Sequence, residues 1–195
     1  MCVILIGKVK DIRKVDLESA WASNPHGAGI AYPRSNSKGV AVVKGIMDLE
    51  SLRSALREIH GEIKIALHLR YATHGSINPL NTHPFKIGRS GSYLMHNGVL
   101  SAFGKSGDRG VSDSMDLANT LGEIKDPIGR HKILASLGGM FCEISPKGIR
   151  TFGSRSWVKI RGSVIGSNDN FIPKVTPIGL SGGSRWIERS AYTWD

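Results

Sequence analysis

The segment Ile63-Lys64-Ile65-Ala66-Leu67-His68-Leu69-Arg70-Tyr71-Ala72-Thr73-His74-Gly75 changes character part-way along. Its first part alternates, with Ile63, Ile65, Leu67 and Leu69 on one face and Lys64, Ala66, His68 and Arg70 on the other. That period of two is the signature of a strand. From Tyr71 onward the period is lost and the chain enters a loop. An arginine at a strand end, beside Thr73 and His74, is suited to fork a carboxylate. A structural salt bridge is the plainer use of the same side chain.

Outward from this strand, the chain reads as short strands with few helices between them. Cys2 to Gly7 is an apolar strand at the very start. Asp48 N-caps a helix that turns Leu49, Leu52, Leu56 and Ile59 to one face and closes at Gly61. A second helix begins near Ser112 and Asp113, with Met115, Ala118, Leu121 and Ile124 inward, and a third spans 130–137. Residues 140–145 and 148–152 form a hairpin across Ser145-Pro146-Lys147-Gly148. The 24 glycines fall at turn-like positions. The class is α+β, with mixed or antiparallel sheets in one domain.

The 195 residues suffice for one well-buried core, and 40% hydrophobic with 22% charged residues exclude a disordered or membrane-spanning chain. Two cysteines, Cys2 and Cys142, make neither a disulfide framework nor a four-ligand zinc site, so a reduced, cytoplasmic protein is expected. The formal net charge of +10 favours anionic partners. Between Glu143 and Asp169 lie Lys147, Arg150, Arg155, Lys159 and Arg161 with no acid, and Phe152 and Trp157 among them. This stretch reads either as a face for nucleic acid or an acidic partner, or as solvated strands.

Cys2 carries the strongest chemical signal. If Met1 is removed, which a small second residue permits, one residue holds both a thiol and an α-amine. Their ordinary pKa values of about 8.5 and about 7.7–8.0 let the amine take the thiol proton near neutral pH. Alternatively the cysteine packs as a small hydrophobe. Asn97-Gly98 ends a further strand and offers an amide beside an unhindered backbone N–H, the donor pair of an oxyanion hole, or simply a turn. Asp113 is a second anion-bearing candidate, or a helix cap. His68, His74, His83 and His96 suggest packing rather than metal, because no pair stands at helical spacing with an acidic third ligand.

Taken in order, Met1-Cys2, residues 24–31 (Asn-Pro-His-Gly-Ala-Gly-Ile-Ala), His68-x-Arg70-Tyr71-Ala72-Thr73-His74-Gly75, Asn81-x-His83-Pro84-Phe85, His96-Asn97-Gly98 and Ser112-Asp113-Ser114 resemble the class II glutamine amidotransferases. These are N-terminal-nucleophile (Ntn) hydrolases that take ammonia from glutamine. The resemblance implies a four-layer αββα sandwich with Cys2 at the open end of a central strand. It implies that Cys2 attacks the glutamine amide and that Asn97 and the Gly98 N–H hold the oxyanion. Arg70 then binds the substrate carboxylate and Asp113 its ammonium, while Tyr71, Thr73 and His74 line the pocket and its loop. No cofactor and no metal are implied. Three positions depart from the family pattern: Val3 for the usual glycine, His26 for an acid before Gly27-x-Gly29, and Tyr71 for a tryptophan of some members.

The family-like motifs run to about residue 116, and the remainder is expected to complete the sheets of a single domain, 1–195, after loss of Met1. On that reading the chain is a glutaminase subunit whose ammonia goes to a separate acceptor synthase. A binding module that keeps the fold and holds nucleic acid or an acidic partner on its basic surface is the alternative. The retention of Cys2, Arg70, Asn97, Gly98 and Asp113 together weighs against it.

Overall fold

The computed structural model describes residues 1–35, 39–73, 75–103 and 110–173. The chain runs β1 (Val3–Lys8), α1 (Lys14–Ser23), β2 (Ala28–Pro33), β3 (Val40–Ile46), α2 (Leu49–Arg57) and β4 (Lys64–Leu69). It continues through β5 (Phe85–Lys86), β6 (Tyr93–Asn97), α3 (Asp113–Gly122), α4 (Pro127–Ser136), β7 (Met140–Ser145), β8 (Gly148–Gly153), β9 (Val158–Arg161) and β10 (Val164–Gly166). Two sheets form among the described residues, one of six strands in the order β3-β2-β4-β1-β10-β9 and one of four, β5-β6-β7-β8. Neighbouring strands in both are antiparallel.

Alternation along the central strands builds three cores. Val3 and Leu5 of β1, with Ile65, Leu67 and Leu69 of β4, pack against Leu17 and Ala20 of α1 and Leu52 and Leu56 of α2. The opposite faces, Ile4, Ile6 and Ala66, meet Met95, Cys142 and Ile144 of the four-stranded sheet. The far side of that sheet buries Phe85, Leu94 and Phe141 against Leu117, Ala118 and Leu121 of α3 and Leu134 of α4. Val3 thus occupies core volume on the helix side, which a glycine there would leave empty.

Local signals account for most element ends. The Asp48 carboxylate accepts the Ser51 N–H at 2.8 Å and starts α2, but the helix stops at Arg57, ahead of Gly61. The Ser112 hydroxyl caps α3, which makes Asp113 its first residue rather than its cap. α4 begins earlier than its apolar pattern indicates, because Asp126 accepts the Ile128 and Gly129 N–H groups and Pro127 sits in the first turn. The hairpin of β7 and β8 closes as its turn residues dictate, with Ser145 opposite Gly148.

Candidate active site

The antiparallel register of β1 and β4 sets Val3 opposite Leu69, so the start of one strand meets the end of the other. Cys2 and Arg70 therefore arrive at the same end of the sheet from distant positions in the chain. The Cys2 thiol lies against the backbone of Tyr71, 3.3 Å from its N–H nitrogen and 3.4 Å from its carbonyl oxygen. Burial pushes the thiol pKa above its ordinary value. The Tyr71 N–H, the chain's amino terminus and Arg70 pull it back in part, and Asp113 adds to the rise. A thiol held protonated in this way needs a base beside it to become a nucleophile.

Arg70 is 2% exposed. Its guanidinium donates to the carbonyls of Ser76 at 2.9 Å and Gly75 at 3.4 Å. Burial pulls its pKa down, opposed by the neighbouring Cys2 and Asp113, and a guanidinium stays charged under such a shift. Asp113 is buried as well. One of its oxygens accepts the Leu100 N–H at 3.0 Å and the other the Ser114 N–H at 2.7 Å. Cys2, Arg70, Tyr71, Thr73, His83, His96, Gly98 and Asp113, with Ala72, Ser112 and Ser114, line one cavity of about 20 Å³. That is room for about one water molecule. A larger hollow of about 570 Å³ lies over Tyr32, Arg34 and Lys64, toward the other end of β4, and neither cysteine lines it.

Gly98 is required sterically. A Cβ there would come within 2.7 Å of the His96 ring nitrogen and 3.1 Å of the Gly139 backbone. His96 itself is buried, bonded through Nδ1 to the Ser114 hydroxyl at 2.9 Å and stacked on Phe141. His68 bonds to the His96 carbonyl at 3.0 Å and stacks on His83 with ring centroids 3.8 Å apart. Burial drives all three imidazoles toward the neutral form, His68 to about 3, His96 to about 4 and His83 well below its ordinary range. His68 shares the face of Ile4 and Ala66 between the sheets, whereas His96 stands on the far face of the four-stranded sheet against Phe141 and α3. Among the described residues no cluster of histidine, cysteine, aspartate or glutamate is arranged to hold a metal ion.

Two of the departures from the family pattern touch each other. His26 accepts the Ala72 N–H at 2.9 Å through Nδ1, and its ring lies 5.0 Å from that of Tyr71. Together they brace the segment that covers the thiol. Tyr71 and Thr73 are both exposed at the mouth, and His74 lies outside the described residues.

Sequence reading misses Ser167 and Asn168, which follow β10. Asn168 donates to the Cys2 carbonyl at 2.9 Å. The Ser167 hydroxyl accepts the Ile4 N–H at 2.9 Å and lies 2.9 Å from the Asn97 amide. Their one sequence signal, a polar pair ending a strand, is too common to single them out. The five basic residues are all exposed, but they divide between the sheets, with Arg150 on β8 and Lys159 and Arg161 on β9. Among the described residues no helix is long and apolar enough to cross a membrane.

Comparison with known proteins bears on this arrangement. Residues 17–114 match the family model described as glutamine amidotransferases class-II. Over 95 residues the chain is 34% identical to the glutamine–fructose-6-phosphate aminotransferase [isomerizing] of Shouchella clausii (strain KSM-K16), covering 48% of this chain and 15% of that protein. The chain thus spans a small part of that relative's length. In fold it resembles the glutamine phosphoribosylpyrophosphate amidotransferase of B. subtilis, with a TM-score of 0.57 at 18% identity, over 86% of this chain and 42% of the other. With its matched motifs gathered at one end of two antiparallel sheets, the chain belongs to the class II glutamine amidotransferases.

Proposed function

We propose that this chain hydrolyses the side-chain amide of glutamine at Cys2 and yields ammonia for a separate acceptor enzyme. The observation that carries the reading is the meeting of Cys2, Arg70, Gly98 and Asp113 around one cavity. Glutamine presents one carboxylate and one ammonium beside its amide, and the pocket offers one cation and one anion beside a thiol. The three core clusters support the four-layer αββα order for this domain, with Cys2 at the exposed end of the six-stranded sheet.

The chemistry follows from the groups present. While Met1 is attached, the nitrogen of Cys2 is an amide and accepts no proton. Removal of Met1 turns it into an amine, which takes the thiol proton. The thiolate attacks the amide carbon, and the oxyanion is held by the Asn97 side chain and the Gly98 N–H. The ammonium returns its proton to the departing ammonia, leaving a thioester. A water molecule, deprotonated by the same amine, then releases glutamate and restores the thiol. The cavity is too small for glutamine as it stands. Substrate entry therefore displaces the segment that Arg70 holds through the Gly75 and Ser76 carbonyls, and the incoming carboxylate replaces them with a stronger charge-assisted bond.

The test is a glutaminase assay on purified protein, paired with intact mass to read the amino terminus. A glutamine-like diazoketone is expected to label Cys2 alone, and Cys2→Ala is expected to abolish hydrolysis with the fold intact. Labelling at Cys142, or full activity in Cys2→Ala, would sink the assignment. Lys147, Arg150, Arg155, Lys159 and Arg161 are assigned to docking of an acidic acceptor or nucleic acid.

A further inference from the structure

Asn97 is 5% exposed and lies at the end of β6 in the four-stranded sheet. Its Oδ1 is buried with no hydrogen-bond partner among the described residues. Its Nδ2 donates to Ser167 Oγ at 2.9 Å, and that same oxygen also accepts the Ile4 N–H at 2.9 Å. In this arrangement the serine oxygen receives two donors, while an amide oxygen stays buried and unpaired beside it. An unsatisfied buried acceptor is costly. Half a turn of the carboxamide about its Cβ–Cγ bond, which leaves its shape unchanged, pairs the amide oxygen with the serine hydroxyl. Ser167 then donates its O–H to Asn97 Oδ1 and still accepts the Ile4 N–H. The NH₂ end of Asn97 becomes the unpaired end.

On the glutaminase reading, we infer that Ser167 is a positioning residue of the oxyanion hole. It anchors the carbonyl end of the Asn97 amide and so sets the direction in which one Nδ2 hydrogen points at the developing oxyanion. The anchor also has a fixed relation to the nucleophile. Ser167 bonds Ile4 in both directions, its N–H reaching the Ile4 carbonyl at 2.9 Å, and Asn168 beside it holds the Cys2 carbonyl. One dipeptide thereby ties the nucleophile strand of one sheet to the oxyanion donor of the other. Donors aimed before the charge develops need no reorganisation during reaction.

The experiment compares wild type, Ser167→Ala, Ser167→Thr, Asn97→Ala and the Ser167→Ala/Asn97→Ala double variant. The readouts are glutaminase kinetics and the affinities of glutamate and of glutamate γ-semialdehyde, whose adduct with the Cys2 thiol carries a tetrahedral oxygen. Ser167→Ala is expected to lower kcat by about tenfold or more with KM within about twofold. It is also expected to weaken the aldehyde by a similar factor while sparing glutamate. Ser167→Thr, which keeps the hydroxyl, is expected to recover most of the loss. In the Asn97→Ala background, removing Ser167 is expected to cost little more, because its effect passes through Asn97. Wild-type kcat in Ser167→Ala overturns the inference. So does an equal loss for glutamate and aldehyde, an additive double variant, or no recovery with threonine. A wild-type protein that neither hydrolyses glutamine nor binds the aldehyde overturns the glutaminase reading itself, and the role of Ser167 with it.

Discussion

The two packed sheets have two ends built from opposite materials. At one, Ile6, Ala66, Cys142 and Ile144 are buried in largely apolar surroundings, the indole N–H of Trp157 being a buried polar atom packed there. At the other, His68, Arg70, His83, His96, Asn97 and Asp113 are buried too, and almost wholly polar. The first end is filled almost entirely by hydrophobic side chains. The other keeps four polar atoms of its histidines without a partner among the described residues, an arrangement that lowers stability. Strands β1 and β4 cross from one end to the other, so the apolar end fixes the spacing at which the polar end operates. A site gains precision when it is mounted on rigid elements in this way.

Within the polar end the two sheets divide the labour, and the largest expected effects test that division. The six-stranded sheet contributes Arg70, to which the proposed function gives the grip on substrate in the ground state. Arg70→Ala is expected to raise KM for glutamine by roughly 10²–10³-fold, the equivalent of about 3–4 kcal/mol for a buried charge that loses its partner. The four-stranded sheet contributes Asn97, whose bond, on the same proposal, strengthens as the oxyanion forms. Asn97→Ala is expected to lower kcat by roughly 10²–10³ with little change in KM. Steady-state kinetics on the two variants decide the matter. If both move the same parameter, the sheets do not have separate roles.

A smaller effect distinguishes the ends by pH. His68 and His96 titrate near 3 and 4 in the folded protein, and His83 lies well below its ordinary value, against about 6.5 in an unfolded chain. The unfolded state therefore binds protons that the native state refuses as pH falls below about 6.5. Stability is complete above that value and declines toward pH 4, by up to about 1.4 kcal/mol per pH unit for each histidine kept neutral. Carboxylates such as Glu62, held down to about 2 by Lys10 and Lys8, lose their contribution only below the ordinary carboxylate range. Urea midpoints measured at pH 7.5 and 5.0 thus isolate the histidines. A midpoint that does not fall between those values would show that the polar end accepts protons without strain.

The two ends also differ in how far the sequence discloses them. The alternation of residues 63–70 places β4 and its faces, and the motifs name Cys2, Arg70, Asn97, Gly98 and Asp113 without any geometry. Gly98 is legible only as a donor, whereas its closeness to His96 is a tertiary fact. Helix α1 is not legible, because Arg13 gives it no side-chain cap and only Leu17 and Ala20 are buried. The start of α4 is marked by Asp126-Pro127, a cap signal that its weak apolar pattern obscures. Ser167 and Asn168 have no distinctive local signal, since their partners lie 163 residues away at Ile4 and 166 away at Cys2. Sequence patterns report on neighbours along the chain, and those bonds form only when β10 joins β1.

The smallest expected effect concerns the basic stretch, where structural and functional readings compete most evenly. Strand β8 closes one edge of the four-stranded sheet and β9 one edge of the six-stranded sheet. Charged side chains on edge strands discourage pairing with other chains, so Arg150, Lys159 and Arg161 have a purely protective use. Docking makes a different demand, because it depends on the sign of the charge and not merely its presence. Reversal of Arg155 and Lys159 to glutamate keeps the strand edge charged while inverting its attraction. The double reversal is expected to leave glutamine kinetics within about twofold of wild type and thermal stability nearly unchanged, as surface substitutions generally do. Binding to a single-stranded oligonucleotide, or to an acidic synthase that co-purifies, is expected to weaken. For the oligonucleotide, the slope of log affinity against log salt should shrink by roughly one for each phosphate no longer neutralised. If retention and slope are the same for wild type and reversal, the positive charge has no partner there, and these residues guard the sheet edges.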